Sequence, residues 1–212
     1  MDTNPKSKEM KKIIVPLLLL AMLFTQCVPS LHPLYTKKDL VLDDRILGQW
    51  QEEEGSDTWR FYQTDETSNH YLLEMTQEDG KKFLFESHLI KLGEEYYLDF
   101  FPGEDENPTI KNTDKNTVQV VSDFPQEFHS MHWWPMHTFA KINVNDDSLN
   151  IQLFDPEWIE DLIKQSKIRI KHEKVAETYI LTASTEELQK FVLKYGQDKR
   201  AFSEETILER KL

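Results

Sequence analysis

Cysteine is almost missing from this 212-residue chain, and its single copy, Cys27, excludes an internal disulfide. The folded part must therefore be stabilised by an apolar core, for which five Trp and twelve Phe are available. Basic residues are also few, since 25 Lys and Arg stand against 38 Asp and Glu, for a formal net charge of −13. Because nucleic-acid binders need a positive surface to meet phosphate, this composition argues against that class of function.

Motifs of the common enzyme families are missing as well. The sequence has no Gly-rich phosphate loop, no Gly-x-Ser-x-Gly elbow and no His-Glu-x-x-His helix. Ser122, Ser184 and Thr185 lie in no motif that would pair them with a base. We therefore favour a non-enzymatic protein and assign neither a catalytic residue nor a cofactor.

The one long apolar run extends from Ile13 to Phe24 and follows a basic start with four lysines. A basic start, an apolar middle of about 7–15 residues and a short cleavage region are the layout of a secretory signal peptide. The run is shorter than the roughly 20 apolar residues of a transmembrane helix, and Pro16 interrupts it. We predict a signal peptide over residues 1–26.

Cys27 directly follows this run, and the segment Phe24-Thr25-Gln26-Cys27 resembles the lipobox of bacterial lipoproteins. Gln26 departs from the small residue that a lipobox has there. The resemblance implies cleavage before Cys27, acylation of that cysteine by palmitate-type chains, and membrane attachment in the bacterial cell envelope. Val28 follows where an inner-membrane lipoprotein commonly has Asp, so the outer membrane is favoured in a host with two membranes. The alternatives are an ordinary signal peptide, with Cys27 incidental, or an uncleaved anchor.

The remaining chain is predicted to hold a tether and one domain. Residues 27–44 contain Pro29 and Pro33, which disfavour helix, and we assign them to a lipidated tether. Residues 45–212 form a single globular domain. Without residues 1–26 the net charge falls to about −15, so anionic headgroups would repel this body and the lipid must supply the attachment.

Short runs of alternating apolar and polar residues predict a meander of antiparallel strands. Tyr71, Leu73 and Met75, for example, recur with the period of two of a half-buried strand. The pair Asp79-Gly80 predicts a two-residue hairpin turn, and residues 102–116 a long loop. The predicted strands cover 46–50, 58–62, 71–76, 83–90, 96–101, 118–121, 139–144 and 149–154. We expect a mainly β fold with late helices, in which the meander forms a partial or closed barrel.

Two late helices are predicted from their capping residues. Asp155 can cap a helix that has Pro156 in its first position. Ser184 and Glu187 form the capping box of a second helix, which ends at Gly196. The tail from residue 203 is predicted to hold a last short helix.

The tripeptide Gly48-Gln49-Trp50 before a meander resembles the first motif of the lipocalins. The resemblance implies that Trp50 packs across the closed end of a barrel that binds an apolar ligand. The later lipocalin motifs, a Thr-Asp-Tyr loop and a closing arginine, are not evident. The strings SLHPLYTKKDLV, LGQW, WRF, YYLDF, MHTFAKI and ILTASTEELQKFV are similar to uncharacterised envelope lipoproteins, which implies a location only.

Three histidines lie close together in the sequence, and they are candidate metal ligands. His129, His132 and His137 could bind zinc or copper, with Met131 or Met136 assisting a soft metal. The alternative interpretation is a loop that packs two tryptophans, with His137 entering the next strand. A metal-dependent hydrolase would need these histidines to converge with a carboxylate.

Aromatic residues are the candidate ligand contacts. Trp50, Trp133 and Trp134 could line an apolar pocket, or they could be core. We therefore expect a membrane-anchored binding module for an apolar molecule or an envelope protein, in which a wide apolar cavity would be found. A structural or assembly accessory is the alternative, and a filled interior with an exposed apolar patch would indicate it.

Overall fold

A computed structural model describes residues 28–53, 55–63, 68–103, 136–176 and 178–211, together with the backbone of residues 109–112 and 118–121. The predicted signal peptide, Cys27 and four of the site candidates lie outside the described residues. Those four are His129, His132, Trp133 and Trp134.

Twelve strands and two α-helices are formed within the described residues. In chain order they are β1 (Gly48–Glu52), β2 (Thr58–Gln63), β3 (Tyr71–Thr76), β4 (Lys82–Leu92), β5 (Glu95–Pro102), β6 (Thr109–Asn112), β7 (Val118–Val121), β8 (Thr138–Val144), β9 (Ser148–Leu153), α1 (Pro156–Lys164), β10 (His172–Val175), β11 (Thr178–Leu181), α2 (Thr185–Tyr195) and β12 (Thr206–Lys211). A single turn of 3₁₀ helix, Asp44–Ile46, precedes β1, and another covers Lys199–Ala201.

Eight of the strands close into an antiparallel barrel. The order around the barrel is β1-β2-β3-β4-β5-β8-β9-β12, and β12 pairs with β1 to complete the ring. Two hairpins lie outside it, β6-β7 between β5 and β8, and β10-β11 between α1 and α2. The predicted fold class, a mainly β meander with two late helices, is confirmed. Of the two predicted forms, a partial and a closed barrel, the structure has the closed one.

Alternation along the strands fills the barrel interior with large apolar side chains. Leu73 of β3, Leu89 of β4 and Leu98 of β5 all point inward and have no exposed surface. Burying one such side chain stabilises the fold by about 1.5–3 kcal/mol. The other buried members of this cluster are Ile46, Trp50, Phe61, Tyr71, Phe100, Ala140, Ile142, Leu149, Ile151 and Leu208.

A side-chain contact joins the first and last strands of the barrel. The fully buried Trp50 of β1 donates its indole N–H to the carbonyl of Ile46 at 2.8 Å. Arg210, its register partner on β12, places its guanidinium 4.1 Å from the centroid of the Trp50 ring. The backbone of Gly48 has a φ of +116°, and a Cβ there would lie 3.0 Å from the Arg210 guanidinium. Glycine is therefore required beside this contact.

The outer face of β4, β5 and β8 is covered by the helices. Phe139 of β8 and Ile90 of β4 belong to a second buried cluster, which includes Ile159 of α1 and Leu188 of α2. Both predicted caps are confirmed: Asp155 accepts a bond from the backbone of Trp158, and α2 has its capping box. No helix in the described part of the chain is long and apolar enough to span a membrane.

The segment before the barrel is packed against it. Val28 is 6 % exposed, and Ser30 and Leu34 are not exposed at all. Ser30 and His137 form two backbone hydrogen bonds, of 2.8 and 2.9 Å. Further along, the backbone of Val41 donates to the carbonyl of Leu89 on β4. Residues 28–44, predicted as part of a tether, thus have contacts that a free tether would lack.

Three local predictions were wrong. The turn at Asp79-Gly80 is a three-residue loop, because the backbone of Gln77 pairs with Lys81 and only Gly80 has a positive φ, of +83°. Strand β6 lies within the predicted loop 102–116. The tail holds β12 and not a helix, because its pairing with β1 and β9 decides its conformation.

Replacement of Arg210 by alanine is expected to lower the free energy of unfolding by about 2–4 kcal/mol. The change removes the stacking on Trp50 and the bonds from the guanidinium to the carbonyls of Leu47, Arg45 and Asp146. Arg210→Lys is expected to regain less than half of the free energy of unfolding that is lost in Arg210→Ala, because an ammonium cannot reach three carbonyls at once. The measurement is urea unfolding. Arg200→Ala, which removes a surface pair with Asp198, is the matched control and should stay near wild type.

Candidate functional site

Strands β2 and β4 begin at the end of the barrel from which the two long insertions leave, and we call this end the open end. Half-buried apolar side chains line it. Trp59 of β2, Met75 of β3 and Phe85 of β4 are half-buried and pack against the interior cluster. Phe100 of β5 joins them, since its ring meets Trp59 edge-on at 6.2 Å and Phe85 at 6.5 Å between centroids. This end therefore presents an apolar, aromatic surface at the barrel mouth.

Both long insertions leave the barrel at this same end. The chain between β5 and β8 departs after Pro102, which pairs with Phe85. The chain between β9 and β12 departs after Leu153, which pairs with Ala140 near the start of β8. The open end is thus the place where sequence has been added to the barrel, and such loops commonly carry function.

A buried hydrogen bond between a histidine and a carboxylate lies on the outer face of the barrel. His137, just before β8, places Nδ1 2.6 Å from Oδ1 of Asp99, which points outward from β5 and has no exposed surface. The other oxygen of Asp99 accepts a 2.7 Å bond from the backbone N–H of Leu34. The segment 28–41 thus seals this carboxylate from water.

The electrostatics of the pair follow from its burial. Burial raises the pKa of Asp99, while the bonds from His137 and from the amide of Leu34 oppose that rise. A carboxylate that holds one nitrogen of an imidazole fixes the orientation of the ring. Chemically, such an oriented imidazole can act as a base or as a metal ligand.

A second histidine, His88 of β4, lies next to the pair. Its ring stacks on Tyr35 with centroids 4.1 Å apart, and it is 5 % exposed. Burial, together with the nearby His70 and His137, lowers the pKa of His88 to about 4. Burial also raises the pKa of Tyr35 to about 12. Both rings are therefore neutral at neutral pH.

A polar cleft of about 370 Å³ is found elsewhere, beside the end of α2. Its lining includes Lys141, Gln152 and Phe202. Lys141 is already paired with Glu95 at 3.0 Å and donates to the carbonyl of Gly196. The lining of this cleft includes none of the site residues predicted from the sequence.

Of the metal and pocket residues predicted from the sequence, the structure describes only Trp50 and His137. Trp50 is fully buried in the barrel interior, where it pairs in register with Trp59 of β2. His137 bonds to Asp99, and its partners in the predicted metal set, His129 and His132, lie outside the described residues, as do Trp133 and Trp134. The metal and pocket assignments stay predictions.

The sequence interpretation overlooked two sets of residues. One is Arg210, which stacks on Trp50 and whose only signal in the sequence was its basic side chain near the end of the chain. Asp99, His88, His70 and Glu86 form the polar cluster around His137. Glu86 and His88 alternate with inward-facing residues, which was a usable signal.

Comparison of the chain with protein-family models, with curated proteins and with solved structures found no match. The fold and the contacts above are therefore the basis for any functional assignment.

Replacement of His88 by phenylalanine is expected to flatten the dependence of stability on pH. An unfolded histidine takes up its proton near pH 6.5, whereas His88 in the folded state does so only near pH 4. Stability is therefore lost as pH falls from about 6.5 to 4, and the loss at pH 4.5 is about 2–3 kcal/mol. Urea unfolding of wild type and His88→Phe at pH 7 and pH 4.5 measures the difference.

The exposed His32 provides the control for this measurement. His32→Ala should retain the pH dependence of the wild type. An unchanged pH dependence in His88→Phe would show that protonation of His88 does not oppose folding.

Proposed function

We propose that this chain is a lipid-anchored protein of the bacterial cell envelope whose barrel binds an apolar molecule at its open end. The anchor rests on the sequence, in which Cys27 directly follows a basic start and an apolar run. The binding role rests on the open end of the barrel. These two parts are separable, and each has its own test.

The observation that carries the binding role is the half-buried aromatic mouth. Trp59, Met75 and Phe85 present apolar surface there although the interior behind them is packed. Pockets for small ligands are mostly apolar, with a few polar groups that fix orientation. A ligand held at this mouth would gain burial against the rings of Trp59 and Phe100 without displacing the core.

The packed interior also limits the size of the ligand. Leu73, Leu89 and Leu98 fill the middle of the barrel, and Trp50 is fully buried in its interior. A long chain cannot enter along the barrel axis, so we expect a ligand that lies across the mouth.

The filled interior, in place of a wide apolar cavity, is the feature expected of a structural or assembly accessory, and it favours that second candidate. A barrel whose interior is filled by its own side chains can serve as a rigid body that presents its surface to a partner. The two candidates differ in one measurable respect. The binding module takes up an apolar probe at its mouth, whereas the accessory does not.

The anchor is tested by replacing Cys27 with alanine in the full precursor, expressed in a bacterial host. The wild type is expected to be cleaved before Cys27, to gain the mass of three acyl chains and to partition into membranes. The variant is expected to remain uncleaved or to become soluble. Intact mass and membrane fractionation measure both. Cleavage at another position without added mass would rule out the lipoprotein.

The binding role is tested with a fluorescent fatty acid as probe. Met75→Lys puts a charge among the apolar side chains of the mouth, and we expect it to weaken binding at least about tenfold. Thr76→Lys is the matched control, since Thr76 is the next residue on β3 and points away from the interior. Equal effects of the two changes, or no binding by the wild type, would favour the structural accessory.

A further inference from the structure

Three side chains with metal-binding atoms meet on the outer face of β3 and β4. They are His70, Glu86 and His88, and one ligand atom of each lies within 4.8 Å of the others. In the described part of the chain, no other group of three His, Cys, Asp or Glu residues meets this condition. This set is separate from the open end, and it shares no residue with the histidines predicted from the sequence.

Strand geometry brings these residues together. Glu86 and His88 are two positions apart on β4 and so point to the same, outward side. Tyr71 pairs with Ser87, and continuing this register by one residue places His70 opposite His88. The chain just before β3 is held by the Ser68 hydroxyl, which donates to the carbonyl of His70 at 2.9 Å. The pairing of β3 with β4 thus brings the three side chains to the same side of the sheet.

The spacing suits a small divalent cation. Nε2 of His88 lies 3.3 Å from Oε1 of Glu86. Ligands bound to zinc at about 2.0–2.1 Å in a tetrahedral arrangement are about 3.3 Å apart. The carboxylate of Glu86 is 46 % exposed, so it can move toward a cation without disturbing the core. The exposed side also leaves room for water as a fourth ligand.

The ring of His88 is held with its Nε2 near Glu86. It stacks on Tyr35 with the two ring centroids 4.1 Å apart, and only 5 % of the residue is exposed. Nδ1, the other ring nitrogen, is buried and has no hydrogen-bond partner among the described residues.

We propose that His70, Glu86 and His88 form a binding site for Zn²⁺ on the outer face of the barrel. Two imidazoles and one carboxylate are a ligand set that zinc takes in proteins. The negative charge of the chain, −13, raises the local concentration of cations. The site does not depend on the lipid anchor or on the apolar mouth.

The test is calorimetric titration of the full chain, purified in detergent and freed of metal, with ZnCl₂. The wild type is expected to bind one Zn²⁺ through this site. His70→Ala and Glu86→Gln should each weaken that binding at least about tenfold, as the loss of even an outer-sphere partner does. Both changes are at partly exposed side chains, so circular dichroism should show an intact fold, which a change at buried His88 would not guarantee.

Two controls separate this site from other histidines. His32→Ala, at an exposed position outside the cluster, should bind Zn²⁺ as the wild type does. The double variant His129→Ala, His132→Ala tests the site predicted from the sequence, and it should also bind normally. Loss of binding in that double variant but not in His70→Ala and Glu86→Gln would overturn the proposal. Failure of the wild type to bind would do the same.

Discussion

The antiparallel pairing of β12 with β1 closes the barrel, and the rest of the architecture depends on it. A barrel without this pairing would have two open edges, on β1 and on β12, and exposed edges invite pairing with other chains. The closing strand comes more than 150 residues after Trp50, so the entropy of closing a very long loop opposes this pairing. A cation held over a fully buried indole and bonded to three carbonyls supplies a specific interaction at that point.

Closure of the barrel also explains why a second apolar core lies against its outer face. Once the interior is sealed, the outward side chains of β4, β5 and β8 are free to be covered, and α1, α2 and the segment 28–41 cover them. This arrangement places Asp99 and His137 between layers. Charges removed from water are costly unless they are paired and bonded, and Asp99 meets that condition through His137 and the amide of Leu34. The polar cluster is therefore held in one geometry by packing on both sides.

Much of this fold could be predicted from local sequence, and the parts that could not are non-local. The meander follows from the alternation of residues such as Tyr71, Leu73 and Met75, and α2 follows from Ser184 and Glu187, because these signals lie within one element. Strand β12 has only Leu208 buried, so its own sequence hardly distinguishes strand from helix, and its distant partners decide. The same holds for the candidate site. His137 could be singled out because other histidines lie near it in the sequence, whereas its partner Asp99 is 38 residues away and could not be predicted from local sequence.

The burial of Val28 has a consequence for how an anchored protein would lie on its membrane. One residue spans at most about 3.6 Å, so a lipid on Cys27 would leave the domain almost no slack above the headgroups. Val28 is followed by Ser30, which pairs with His137 at the start of β8, and that strand begins at the open end of the barrel. The mouth of the barrel would then lie close to the bilayer. An apolar molecule could pass between membrane and protein over a short path, without crossing bulk water.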